Sequence, residues 1–253
     1  MVHFQSGGAD YAQFRPRYPE ALGRALSTLV QASELTPELA VDVGCGSGQL
    51  TAVLAPHFKA VVGIDPSASQ LQHAQQHHNV RYQQGHAEQI ALADASVDLI
   101  VAAQAAHWFD LDAFYAELKR IAKPGAVVAL ISYGVPFIHD AVNSIFQRGY
   151  WQDLHHFWPP ERAHVENAYA DLYFPFTPLS LDQISGDPLS YQHAMTLPAF
   201  ISYIKTWSAY QQAIAQQEAH VFETFFKQLA QAWNETAEKT VVWPLTIKTG
   251  FIK

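Results

Sequence analysis

The chain has 253 residues, a net charge of -8, 49% hydrophobic and 13% aromatic residues, enough to bury a large core in one α/β domain with embellishments. Its 15 Lys and Arg form no basic run of the kind that neutralises nucleic-acid phosphates, and no long apolar stretch offers a membrane span. A lone cysteine, Cys45, excludes an internal disulfide framework and suits a reducing cytoplasm.

The opening MVHFQSGGAD has neither a basic nor an apolar leader, so export is not expected. After an extended aromatic segment, Pro19 is placed to start a helix whose Leu22, Leu26, Leu29 and Val30 share one face, ending before Pro37. Continuous apolar runs at 39–43, 60–64, 97–103 and 126–132, with a shorter one at 80–83, read as strands buried on both faces of a parallel sheet. Helical patterns lie between them, such as Phe114, Leu118 and Ile121 behind an Asp110 cap. This alternation predicts a doubly wound, Rossmann-like α/β fold.

Beyond residue 133 the sequence becomes aromatic and proline-punctuated. Strand-like pieces near 189–195 and at 241–252 bracket two amphipathic helices, one begun by Phe200, Ile201 and Ile204, the other striped by Phe222, Phe225, Phe226, Leu229 and Trp233. The expectation is a single domain: an N-terminal cap (1–36), a ligand-binding core (37–135), and late helices and closing strands (136–253). The two late strands would complete the main sheet, and the helices would be an insertion over the site.

The segment with the most chemical content is LAVDVGCGSGQL at 39–50 followed by AVVGID at 60–65. An apolar strand, a turn with Gly44, Gly46 and Gly48, and a second strand ending in Asp65 form one nucleotide-binding half-site. The glycines admit close backbone approach, and the carboxylate about twenty residues on can accept from ribose hydroxyls. A dinucleotide fingerprint wants Gly or Ala at the sixth place of the turn. That place is Gln49 here, with Gly48 one position early, so NAD fits poorly.

The run VDVGCGSG with GID at the next strand end closely resembles motif I and the acidic strand end of class I methyltransferases that use S-adenosylmethionine. The resemblance continues through GHAEQIAL (85–92), ASVDLIVAAQAAHWFD (95–110) and AELKRIAKPGAVVALIS (116–132), in the family's order. YAQFRPRYP (11–19), AAHWFD and TWSAY (206–210) resemble a subgroup that includes trans-aconitate methyltransferase-like and related small-molecule enzymes. The resemblance implies a seven-stranded sheet, mostly parallel with an antiparallel last strand. It also implies a cofactor held by Asp42, Gly44, Cys45, Gly46, Gly48, Asp65, Pro66, His86, Ala87, Glu88 and Gln104. Many relatives carry Asp where this chain has His86, so adenine recognition would rest on the Ala87 backbone and indirectly on Glu88.

On the acceptor side the expected residues are Tyr11, Arg15, Tyr18, His107, Trp108, Tyr133, Tyr203 and Trp207. Arg15 could hold a carboxylate bidentately and His107 could act as a base. Equally, Arg15 could make a surface ion pair, His107 could cap a backbone group, and the late aromatic residues could simply pack. Cys45 reads as a small buried filler, since no neighbour visible in sequence would lower its pKa. The 13 His include pairs at 77–78 and 155–156 without the i, i+4 spacing and acid of a zinc site, so no metal is expected.

The resulting expectation is a cytoplasmic, monomeric or homodimeric methyltransferase acting on a small molecule such as an organic acid or hydroxylated metabolite. Rival readings are RNA or protein methylation, a non-catalytic S-adenosylmethionine-binding protein and, last, a nicotinamide-dependent oxidoreductase.

Overall fold

The computed structural model describes residues 18–179, 190–234 and 236–253. Tyr11 and Arg15, both expected on the acceptor side, lie outside the described residues.

Pro19 caps helix α1 (Glu20–Ala32), whose apolar face is buried as the periodicity predicts. Strand β1 (Leu39–Val43) leads into α2 (Gln49–Leu54), β2 (Ala60–Asp65), α3 (Ala68–Gln72), β3 (Val80–Gln84) and β4 (Val97–Ala103). Helix α4 (Leu111–Ile121) is capped by Asp110, whose carboxylate accepts from the Ala113 amide at 3.2 Å, and runs directly into β5 (Ala122–Tyr133). The seven-stranded sheet has the order β3-β2-β1-β4-β5-β10-β7. β1 to β5 pair in parallel, and β10 (Leu245–Phe251), the last strand of the chain, lies antiparallel between β5 and the edge strand β7 (Thr177–Leu179).

Side chains alternate across this sheet. Leu99, Val101, Val127, Ala129 and Ile131 face α1, α2 and the late helices, whereas Val41, Val43, Ile100, Val128 and Leu130 face α4 and the segment around Tyr169. Burial on both faces explains why these strands read as continuous apolar runs; the run at 80–83 departs from that expectation, because β3 lies at the edge of the sheet and none of its residues is buried.

The late strands depart from expectation. The piece near 189–195 forms β8 (Tyr191–Met195), which does not join the main sheet; it pairs antiparallel with β9 (Lys239–Trp243). β9 in turn pairs with β6 (Phe137–Ile138), giving a separate three-stranded sheet. The expected strand 241–252 is broken at Pro244 between β9 and β10, where a residue without an N–H, with φ restricted, favours a change of direction. The edge of the main sheet is filled instead by β7 from the PFTP segment, whose Pro178 is tolerated because an edge strand need not donate on both sides.

The remaining cover consists of α5 (Asn143–Arg148), a π-helical turn at Gly149–Leu154, α6 (Arg162–Glu166), α7 (Leu197–Lys205), α8 (Ser208–Ala215) and α9 (Ala219–Ala232). Helices α7 to α9 lie between β8 and β9, in the interval expected for an inserted pair. None of the described helices is long and apolar enough to cross a membrane.

Candidate functional site

A cavity of about 560 Å³ opens at the C-terminal ends of β1, β2, β4 and β5, within the size range of small-ligand sites and at the position where open α/β sheets bind ligands. Its walls bring together Asp42, the glycine turn with Cys45, Asp65 and Pro66, His86 to Glu88, Gln104, Trp108, Tyr18 and Tyr133. Every cofactor-side position singled out in the sequence except Gly48 is thus on this wall. Gly48 stands behind it, at φ 77°, where a Cβ would lie 2.1 Å from the Tyr82 hydroxyl oxygen. Gly46 differs: at φ 54° its added Cβ would meet only Gln70 Oε1, at 3.9 Å, so the turn presents bare backbone to open space.

Two carboxylates face this turn. Asp65 is 8% exposed; its Oδ2 accepts from the Gly46 amide and its Oδ1 from the Ser67 amide, each at 2.8 Å. Burial raises its pKa, with the Ser67 and Gly46 amides opposing. Each oxygen keeps a further lone pair for a ligand hydroxyl. Asp42 is 1% exposed, and Thr51 donates to its Oδ2 at 2.6 Å. Burial pushes this carboxyl up to about 7, against the Thr51 hydroxyl and with a contribution from Asp65. Asp42 Oδ1 and Gln70 Oε1 are buried without a hydrogen-bond partner. Unsatisfied buried acceptors on a cavity wall cost stability and suit a ligand that donates to them.

Gln104, at the end of β4, has φ 54° although it is not glycine. Its amide donates to Ile131 O and its side chain donates to Tyr133 O, both at 2.8 Å, so the strained backbone is held from two sides. Cys45 is 9% exposed, and burial pushes its thiol up, away from the thiolate, in keeping with a packing role.

The acceptor-side expectations separate. Tyr18, Trp108 and Tyr133 line the cavity. His107 does not: its Nδ1 is paired with the Tyr169 hydroxyl at 2.8 Å, and burial, with the Arg162 charge next, lowers its pKa to about 3. A neutral imidazole of that weakness is a poor match to general-base work near pH 7. Tyr203 and Trp207 are also away from the cavity, 2% and 1% exposed in the aromatic core of the cover, where Tyr203 accepts from Trp243 Nε1 at 2.9 Å. The signal that misleads is aromaticity at helical spacing, which core helices share with substrate clamps. Gln70, by contrast, carries no motif and was missed; only the tertiary contact of α3 with the turn brings it to the site. Among the described residues no group of His, Cys, Asp and Glu could hold a metal ion.

Residues 41–130 match the family model of the methyltransferase domain. A Dictyostelium discoideum protein named as a methyltransferase is 33% identical over 236 residues, covering 92% of this chain and 87% of its own length. A Saccharomyces cerevisiae protein named as an S-adenosylmethionine-dependent methyltransferase is 27% identical over 232 residues, covering 80% and 79%. The structure of an Anaeromyxobacter dehalogenans protein, described as a type II methyltransferase, superposes with a TM-score of 0.83 at 40% identity, covering 94% of this chain and 98% of that one. With the strand order and the glycine turn already in place, the chain belongs to the class I S-adenosylmethionine-dependent methyltransferases.

Proposed function

We propose that this protein methylates a small-molecule acceptor, at the carboxylate or hydroxyl oxygen of an organic acid or metabolite, within a subgroup resembling the trans-aconitate methyltransferase-like enzymes. The observation that carries the reading is the make-up of the cavity wall: two buried carboxylates and bare glycine backbone together with the aromatic residues Tyr18, Trp108, Phe109 and Tyr133.

The polar part of the wall suits S-adenosylmethionine. The orphaned Asp42 Oδ1 and Gln70 Oε1 await donors, and a positively charged ligand group would keep Asp42 ionised against its burial. Asp65 retains lone pairs for two ribose hydroxyls, the Gly46 cradle leaves room that a Cβ would take, and His86 to Glu88 border the remainder. S-adenosylmethionine, if bound, would supply an electrophilic methyl on a sulfonium for in-line attack by an acceptor oxygen, the C–S electron pair returning to sulfur as the C–O bond forms; a hydroxyl acceptor would also have to give its proton to a base.

What the chain itself contributes is placement. Trp108 and Tyr133 narrow the acceptor side, and a dry, well-oriented approach supplies up to about 7–11 kcal/mol of the barrier. A carboxylate acceptor needs no base, in keeping with the weak basicity of His107; that residue holds the Tyr169 hydroxyl and so shapes the wall beside Trp108. RNA methylation is disfavoured by the net charge of -8.

The test is calorimetry with S-adenosylhomocysteine and NAD, followed by a radiolabelled methyl-transfer screen over organic acids, alcohols and tRNA. Binding of the first ligand and transfer to a small acid or alcohol is expected. Binding of NAD alone, or transfer to tRNA with a steep salt dependence, overturns the reading.

A further inference from the structure

Of the six described non-glycine residues with positive φ, Gln104 alone lines the cavity. A side chain at φ 54° strains the backbone, and such strain persists only where the surroundings enforce it. Here they do. The Gln104 amide donates to Ile131 O at 2.8 Å. Ala105, the next residue, packs so closely on the glycine turn that a Cβ built on Gly44 would lie 2.5 Å from the Ala105 Cβ. The end of β4 is therefore wedged between the turn that follows β1 and the end of β5.

The Gln104 side chain is fixed as well. Its Nε2 donates to the Tyr133 carbonyl oxygen at 2.8 Å. Turning the carboxamide over would set Oε1 against that carbonyl, acceptor against acceptor, so this one contact decides which atom of the amide is left for other partners. Gln104 Oε1 accepts from no described residue and yet is not buried, so it faces the cavity that Gln104 lines. The site thus presents there a fixed hydrogen-bond acceptor with partial negative charge.

Strand order indicates which part of a ligand this oxygen meets. With a ribose at Asp65 on β2 and the adenine bordered by His86 to Glu88 after β3, the remainder of S-adenosylmethionine extends the other way, past the turn that follows β1 toward the end of β4, the next strand in the sheet. We infer that Gln104 Oε1 faces the sulfonium and its methyl, so that Gln104 makes the site prefer the positively charged methyl donor to its neutral demethylated product. The inference rests on the cofactor reading above. No described Lys or Arg lines the cavity to oppose this preference. Because the positive charge on sulfur declines as the methyl departs, the dipole favours the donor state over the product state; it serves exchange of product for donor and not the barrier itself.

The experiment is calorimetry on the full chain at pH 7 with three ligands: S-adenosylmethionine, S-adenosylhomocysteine and sinefungin, in which an amine-bearing carbon replaces the sulfonium and puts an N–H donor where the methyl stands. The variants are Gln104→Gly and Gln104→Asn. Both residues accept positive φ more readily than glutamine, so both proteins should fold with melting temperatures near that of the wild type. Glycine has no side-chain oxygen, and the asparagine carboxamide is one carbon too short to bring its oxygen to the same point. The ratio of the Kd for S-adenosylhomocysteine to that for sinefungin should fall at least about fivefold in both variants, the scale of a charge-assisted hydrogen bond. The corresponding ratio for S-adenosylmethionine should fall in the same direction, while the Kd for S-adenosylhomocysteine itself stays nearly constant. Unchanged ratios in Gln104→Gly, or equal weakening of all three ligands as a purely structural role would give, overturn the assignment. Wild-type binding of all three ligands in those cases keeps the cofactor reading, whereas failure of the wild type to bind any of them ends that reading and this inference together.

Discussion

The Gly46 amide donates to Asp65 Oδ2 at 2.8 Å, so the carboxylate at the end of β2 holds the glycine turn at the end of β1. One side chain therefore both shapes the cradle and presents lone pairs to a ligand. The Ser67 amide on its other oxygen keeps the carboxylate from rotating away.

Replacing Asp65 by Ala removes a charged acceptor from two ribose hydroxyls and from the turn. Affinity for S-adenosylhomocysteine should fall by about 1.5–3 kcal/mol, the scale of charge-assisted hydrogen bonds. Calorimetry is the measurement, with circular dichroism confirming the fold. Unchanged affinity would remove the ribose role from this strand end.

Asp42 should make the protein more stable when it is replaced. Its carboxyl has a folded pKa of about 7 against an ordinary value of 3.8, so the folded state keeps a proton that the unfolded chain releases. Stability falls as pH rises between those values, by up to about 1.4 kcal/mol per unit. His107, lowered from 6.5 to about 3, acts oppositely, adding stability as pH rises through that interval. In the wild type the two slopes oppose each other; Asp42→Asn leaves only the second. Its melting temperature should exceed the wild-type value by an amount that grows from pH 4 to 7 and then levels off, while cofactor affinity drops. A constant difference across pH would refute the ionisation argument.

Gly48 and Gly46 should respond differently to alanine. At Gly48 the positive φ and the Tyr82 hydroxyl at 2.1 Å together resist a methyl group, so Gly48→Ala should cost more than about 1 kcal/mol of stability. At Gly46 the methyl meets open cavity, so Gly46→Ala should lose less stability and more cofactor affinity. Thermal melts and calorimetry on the pair separate the two costs, and the opposite ranking would contradict the geometry.

Cys45 should be chemically silent. Its thiol is buried and its pKa is pushed up by burial with help from Asp42 and Asp65, so little thiolate is available. A disulfide reagent at pH 8 should label the unfolded chain rapidly and the native protein slowly. Cys45→Ala should keep methyl transfer within about threefold, the scale of a minor packing change below 1 kcal/mol. Rapid native labelling with loss of activity would instead make Cys45 a reactive thiol with a role in the reaction.

The local chemistry of this protein is legible along the chain. Gly44 to Gly48, Asp65 and the four longer apolar runs each announce themselves within a dozen residues, because strand burial, turn conformation and an acidic strand end are all short-range properties. Pro19 and Asp110 mark helix starts for the same reason. The later half obeyed longer-range terms. Whether 191–195 or 177–179 borders β10 depends on which segment can reach the sheet edge, and Pro244 diverts β9 into a second sheet that no local pattern signals. Tyr203 and Trp207 look like ligand contacts in sequence and are core in space, since an aromatic stripe shows that a face is buried without showing against what. Gln70 is the converse. It is an unremarkable polar residue on a short helix, and only the packing of distant segments leaves it with an orphaned oxygen beside the turn.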